Sequence, residues 1–213
     1  MYGRFIPEWL EILERDFNHP SIVGWCPYNE VWTEDSKACR QALLKNAYLV
    51  TKAYDTTRPC IDTSGGYHVI TDIYDIHDYD QNPVTLREKL DKLPNEGIVV
   101  EANHLKGHQH YGGEPVFVSE YGGIGIHIEN DVNRGTSAWS YSSACKSLEE
   151  FYERYRGLTD AILDNPCMCG FCYTQLYDIE QEQNGLYTYD RRPKLNPEAV
   201  KAAVGRKAAI EDE

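Results

Sequence analysis

What this chain lacks narrows its class. No apolar run approaches the roughly 20 residues of a membrane-spanning helix. The first residues have none of the basic-then-apolar pattern of a secretion signal. Basic side chains are scarce: 21 Lys and Arg stand against 34 Asp and Glu, for a net charge of −13. Nucleic acids and anionic membranes recruit clustered Lys and Arg, so neither is expected as a partner. No glycine-rich cradle precedes a lysine in the way nucleotide binding requires, and no cofactor is expected. The seven cysteines, an odd number, show no paired framework, which points to a reducing cytoplasm. No repeat, low-complexity tract or long linker interrupts the 213 residues, so one domain over 1–213 with a sizeable core is expected.

Two groupings look metal-like and are set aside. His104, His108 and His110 lie close together, and an i, i+4 pair shares a metal only on a helix. Lys106-Gly107 and Tyr111-Gly112-Gly113 mark a loop instead. Cys167-Met168-Cys169 has the wrong spacing for a zinc knuckle and precedes a core strand, where buried thiols belong. No metal is expected.

What is present alternates between helix and strand. Pro7 at a first-turn position opens a helix that continues through Phe17. A second helix is predicted over 37–54, capped by Asp35 or Ser36 and stopped by Arg58-Pro59. Short strands are predicted at 60–63, 73–77 and 170–176, with a brief helix at 85–90 and a short extended piece at 97–101. A longer helix over 146–163 carries Leu148, Phe151, Tyr152 and Tyr155 on one face, and the tail after Pro197 is helical in character.

Two further strand-like runs each close on a glutamate. Ser21-Ile22-Val23-Gly24-Trp25-Cys26-Pro27-Tyr28-Asn29 leads to Glu30, and Pro115-Val116-Phe117-Val118-Ser119 leads to Glu120. A carboxylate at the C-terminal end of a parallel strand points into the mouth of the sheet, where α/β barrels keep their chemistry. Two glutamates so placed are what glycoside hydrolysis uses, one as proton donor and one as nucleophile. Asn29 offers an amide to a sugar hydroxyl, and Gly122-Gly123 allow close backbone approach to a ligand. His77 sits where its strand opens towards the pocket and is a candidate for a sugar hydroxyl. Trp139, in the long loop after Glu120, is a candidate stacking platform.

These motifs resemble glycoside hydrolase family 2, the family of β-galactosidases and β-glucuronidases. The resemblance rests on Cys26-Pro27-Tyr28-Asn29-Glu30 with Trp32, on Phe117-Val118-Ser119-Glu120-Tyr121-Gly122-Gly123, and on Tyr173-Thr174-Gln175-Leu176-Tyr177-Asp178-Ile179-Glu180 continuing to Lys194. It runs from about Ile6 to about Lys194. It implies an α/β fold, a partial (β/α)8 barrel of about strands four to eight, acting on a carbohydrate substrate.

The implied mechanism is retaining. Glu30 is general acid and then base, its carboxyl held protonated by an apolar setting beside Trp25 and Trp32. Glu120 attacks the anomeric carbon as a carboxylate. Tyr79 matches a tyrosine that the family places against the nucleophile. Gln175 stands where many relatives carry a tryptophan, so an amide replaces the usual aromatic platform. A galactoside is favoured as the broad label of the family. Counted against the family, the chain begins near the third helix, and its open sheet edges are expected to pair with a second copy. The alternative reading is a catalytically incompetent fragment, or a weak carbohydrate-binding piece, that needs the missing half-barrel.

Overall fold

The computed structural model describes residues 2–31, 38–65, 67–100, 109–126 and 138–212. Its regular elements are α1 (Tyr2–Asp16), α2 (Ala38–Tyr54), β1 (Tyr74–Asp78), α3 (Pro83–Leu90), α4 (Lys92–Glu96), β2 (Val116–Gly122), α5 (Leu148–Leu163), β3 (Met168–Thr174) and α6 (Pro197–Val204). The three strands form a parallel sheet in the order β1-β2-β3, with helices between them in sequence. They are the strands expected sixth, seventh and eighth, and the fold is a partial α/β barrel. The chain gathers into two compact units. One is Met1–His77 with Glu101–Phe117, the other Asp78–Val100 with Val118–Glu213.

The first unit is built on an aromatic core. Trp9, Leu13, Trp25 and Cys60 are buried together, and Phe5, Ile22 and Tyr48 pack against them. Both indoles place their N–H: Trp9 donates to Thr51 Oγ1 at 2.8 Å and Trp25 to Asp55 Oδ2 at 2.9 Å. Helix α1 begins earlier than expected, so Pro7 is its sixth residue and not a first-turn residue. A proline there removes one backbone hydrogen bond, and burial of Trp9 and Leu13 from the same helix offsets that cost.

The runs expected as the fourth and fifth strands do not form continuous strands. They meet only at two parallel bridges, Trp25 with Cys60 and Asn29 with Ser64. Between these bridges lies Pro27, which has no N–H for a ladder. The bridges still fix the register: Ser64 N donates to Tyr28 O at 2.9 Å, and Glu30 N to Ser64 O at 2.8 Å.

In the second unit α5 carries the core face. Phe151, Tyr155, Leu158 and Ile162 are buried at helical spacing. Leu148, expected on that face, is its first residue and is 40% exposed, because the stripe lies one turn further on. Ser147 caps the helix through Glu150 N. Asn82 caps α3 and Asn196 caps α6, each with a proline in the first turn of the helix. The extended piece expected at 97–101 is not a strand in its described part. Gly97 takes the left-handed conformation that ends α4, at φ 70°, and residues 98–100 are irregular.

Candidate active site

Glu30 belongs to the first unit. Its backbone is left-handed, φ 48°, a conformation that a residue with a side chain adopts at a cost of about 1–3 kcal/mol. The bridge to Ser64 pins its N–H, and its carboxylate meets His77, Nδ1 to Oε1 2.9 Å. The Glu30 side chain is 35% exposed while the His77 ring is 4% exposed, so the carboxyl reaches solvent and the imidazole does not. His77 Nε2 faces Ser64 Oγ at 2.8 Å. Both ring nitrogens of His77, expected to meet a sugar hydroxyl, thus face protein groups. Asn29 is exposed and paired through its backbone with Ser64. Trp25, expected beside the Glu30 carboxyl, is committed to the core through Trp9 and Asp55. Trp32, His104 and His108 lie outside the described residues.

Behind Ser64 lies a buried polar chain. Asp75 Oδ2 accepts from Ser64 Oγ at 2.8 Å and from Gly65 N at 3.0 Å. His68 Nε2 lies 3.1 Å from Asp75 Oδ1, and His68 Nδ1 lies 2.9 Å from Asp62 Oδ1. Asp62 also accepts the N–H groups of Val69 and Ile70. Burial opposes a charge on His68, yet the two carboxylates outweigh it and raise its pKa to about 10. The result is a buried cation between two buried acids.

Glu120 belongs to the second unit, near the C-terminal end of β2. The Tyr79 hydroxyl donates to its Oε2 and lies 3.3 Å from Thr174 Oγ1. Burial, and then this contact with Glu120, pushes the phenol pKa far up, so Tyr79 stays protonated and a donor. The Tyr79 ring lies flat on Tyr141, centroids 3.5 Å apart, and Trp139 meets Tyr141 edge-on at 5.5 Å. Trp139 is 48% exposed, with its backbone tied to Gln181 and Gln183. Gln175 follows a cis peptide bond and donates to Asn184 Oδ1 at 2.8 Å.

The glycines after Glu120 serve the protein's own aromatics. At Gly122 (φ 88°) an added Cβ would stand 2.3 Å from Tyr173, and at Gly123 (φ 59°) 2.5 Å from Tyr141. The close approach expected towards a ligand is therefore made towards these two rings.

Sequence reasoning brought Glu30, His77, Glu120 and Tyr79 into view. It missed Ser64, Asp75, His68, Tyr141, Thr174 and Asn184. The spacing of Asp62, His68 and Asp75 around Gly65-Gly66 was the one available sign of a polar knot. Tyr141 carried none, since it lies in an irregular loop.

The family model for "Glycosyl hydrolases family 2, TIM barrel domain" matches residues 5–207. Among solved structures, the β-galacturonidase from Eisenbergiella tayi bound to galacturonate is 20% identical, with a TM-score of 0.67 over 94% of this chain and 36% of that one. A β-glucuronidase from Faecalibacterium prausnitzii is 21% identical, with a TM-score of 0.64 over 96% of this chain and 34% of that one. The Bifidobacterium dentium β-glucuronidase complexed with coumarin-3-O-glucuronide is 22% identical, with a TM-score of 0.64 over 96% and 33%. The chain thus spans about a third of the length of these proteins. No curated protein matches it.

Proposed function

The chain belongs to glycosyl hydrolase family 2, and on that premise we propose that it is a retaining β-glycosidase working through Glu30 and Glu120. The observation that carries the reading is the provision made for each carboxyl: a buried imidazole on Glu30 and a half-buried phenol on Glu120. Glu30, protonated, gives its proton to the glycosidic oxygen, then as carboxylate takes one from water. Glu120, the carboxylate that accepts from the Tyr79 hydroxyl, forms the glycosyl-enzyme ester. Trp139 supplies an exposed face for a sugar ring, and Asn29 and Gln175 supply amides for its hydroxyls.

Neutral sugars, galactosides first, are the proposed substrates. The two solved relatives bound to galacturonate and to a glucuronide carry acidic sugars. A uronate wants a cation, and the three cations between Tyr189 and Asn196 are engaged elsewhere. Arg191 lies over the Tyr177 ring at 4.5 Å, Arg192 pairs with Asp190 at 2.8 Å and Lys194 with Asp178 at 2.6 Å.

The test is nitrophenol release from a panel of nitrophenyl β-glycosides, with Glu120→Gln as control and the anomer of the first-formed product read by NMR. Turnover with retained configuration, abolished by Glu120→Gln, is expected. Turnover unchanged in that variant, or an inverted product, overturns the reading. A second reading follows from the third of its relatives' length that the chain spans: it carries the two glutamates and needs further polypeptide, including a second copy across a sheet edge, to turn over. A folded, inactive chain whose activity appears on self-association supports that reading.

A further inference from the structure

The hydrogen bonds around His77 leave few arrangements of protons. Ser64 has one hydroxyl proton, and both Asp75 Oδ2 and His77 Nε2 lie 2.8 Å from its oxygen. Asp75 Oδ2 accepts from Gly65 N and from Ser64 Oγ, and His68 Nε2 lies 3.1 Å from Asp75 Oδ1 and 3.2 Å from the Asp75 carbonyl oxygen. A carboxylate so surrounded only accepts. The Ser64 proton therefore goes to Asp75, and the Ser64 oxygen turns a lone pair towards His77. For that contact to be a hydrogen bond, His77 Nε2 must carry a proton.

The consequence falls on Glu30. A neutral His77 with its proton on Nε2 presents a bare lone pair from Nδ1, 2.9 Å from Glu30 Oε1. A lone pair facing a carboxylate repels it, so this arrangement is satisfied only when Glu30 is a carboxylic acid. If Glu30 is ionised, Nδ1 must hold the proton and His77 is an imidazolium. In both cases the pair holds one proton on the line between Oε1 and Nδ1. Passing along that line breaks the O–H bond as the N–H bond forms, and the charge of the pair does not change.

We propose that Ser64, Asp75 and His68 are positioning residues that lock His77 with a proton on Nε2, so that Glu30 and His77 share a single proton. The lock starts in the buried His68, whose ring nitrogens face Asp62 and Asp75. Asp75 and His77 lie two residues apart on β1 and so share one face of the strand. Ser64 reaches both. The Cys26 thiol lies in the field of Asp75 and Asp62 and is pushed up to about 12, by burial first, so it adds no charge. Glu30 thereby receives its acid proton from a partner that no solvent needs to reach. The catalytic meaning of this device rests on the glycosidase reading; the tautomer itself does not.

The experiment is 15N NMR of the imidazole side chains in the whole chain, with two-bond couplings that tell Nδ1 from Nε2. In the wild-type protein His77 Nε2 is expected to be protonated, and His68 to carry protons on both nitrogens. Ser64→Ala removes the lock with little change in volume, and the tautomer protonated on Nδ1 then becomes populated. Asp75→Asn, whose amide can donate to Ser64, is expected to move His77 further the same way. A neutral wild-type His77 protonated on Nδ1, or a Ser64→Ala spectrum unchanged at His77, overturns the proposal. Where turnover is found, Ser64→Ala lowers kcat about tenfold or more for aryl glycosides with poor leaving groups and far less for nitrophenyl glycosides. Equal loss on both would overturn the link to acid catalysis. Absence of turnover in the wild-type chain bears on the glycosidase reading and leaves the NMR result standing.

Discussion

The Tyr79 hydroxyl donates to the Glu120 carboxylate across 41 residues of chain, while its ring lies flat against Tyr141. One residue thus holds the carboxylate by its polar end and the loop after β2 by its apolar face. Tyr79→Phe keeps the stacking and removes the hydrogen bond. A hydrogen bond to a charged group is worth about 1.5–3 kcal/mol. The expected outcome is a fall of about tenfold to a hundredfold in kcat, with KM little changed, measured by nitrophenol release. Activity kept in Tyr79→Phe but lost in Tyr141→Ala would mean that the stacking, and not the hydroxyl, matters.

His68 sets a pH dependence of stability. Its folded pKa, about 10, lies above the ordinary value of 6.5, so the folded state holds the proton more tightly than the unfolded chain. The stabilisation is complete below pH 6.5 and is lost as pH rises through 6.5 towards 10. It is on the order of a few kcal/mol, since one unit of difference is about 1.4 kcal/mol. Urea midpoints at pH 6, 8 and 10 read it directly. His68→Gln should flatten that part of the profile; an unchanged profile would remove His68 as its source.

Removing the same cation also has a cost at fixed pH. His68→Gln leaves Asp62 and Asp75 buried without the charge between them, and breaking such a group costs about 3–5 kcal/mol. The loss of ΔG in urea at pH 6 checks it. Asp72→Asn, in the more exposed pair with Lys52, should cost less.

Lys194 and Asp178 are 0% and 1% exposed and stand 2.6 Å apart. Lys194→Met strands the Asp178 carboxylate and should cost about 3–5 kcal/mol. The double variant with Asp178→Asn should lose less than Lys194→Met alone, because no uncompensated charge remains buried. A double variant less stable than the single one would contradict this account.

Gly123 holds a left-handed backbone with Tyr141 where a Cβ would go. Gly123→Ala is expected to lower stability by about 1–3 kcal/mol and to displace the ring that Tyr79 lies on. The urea midpoint gives the first effect. Near-ultraviolet circular dichroism, sensitive to stacked tyrosines, gives the second.

The sequence by itself determined the elements whose signals are local. Apolar runs of strand length ending at His77, Glu120 and Leu176 became β1, β2 and β3, the last shifted back to Met168–Thr174, and Asn82-Pro83, Ser147 and Asn196-Pro197 set three helix starts, because caps and periodicity act within a few residues. It also offered Glu30 and Glu120 as candidates, since a carboxylate closing an apolar run is visible in one dimension. It overestimated the strands around Trp25 and Cys60, where Pro27 leaves only two bridges. Tertiary structure alone decided what each carboxyl meets. That His77 turns to Glu30, that Ser64 and Asp75 stand behind it, and that Tyr141 lies under Tyr79 depend on segments 11 to 62 residues apart in sequence. Side-chain hydrogen bonds of that range follow from packing, and no local pattern encodes them.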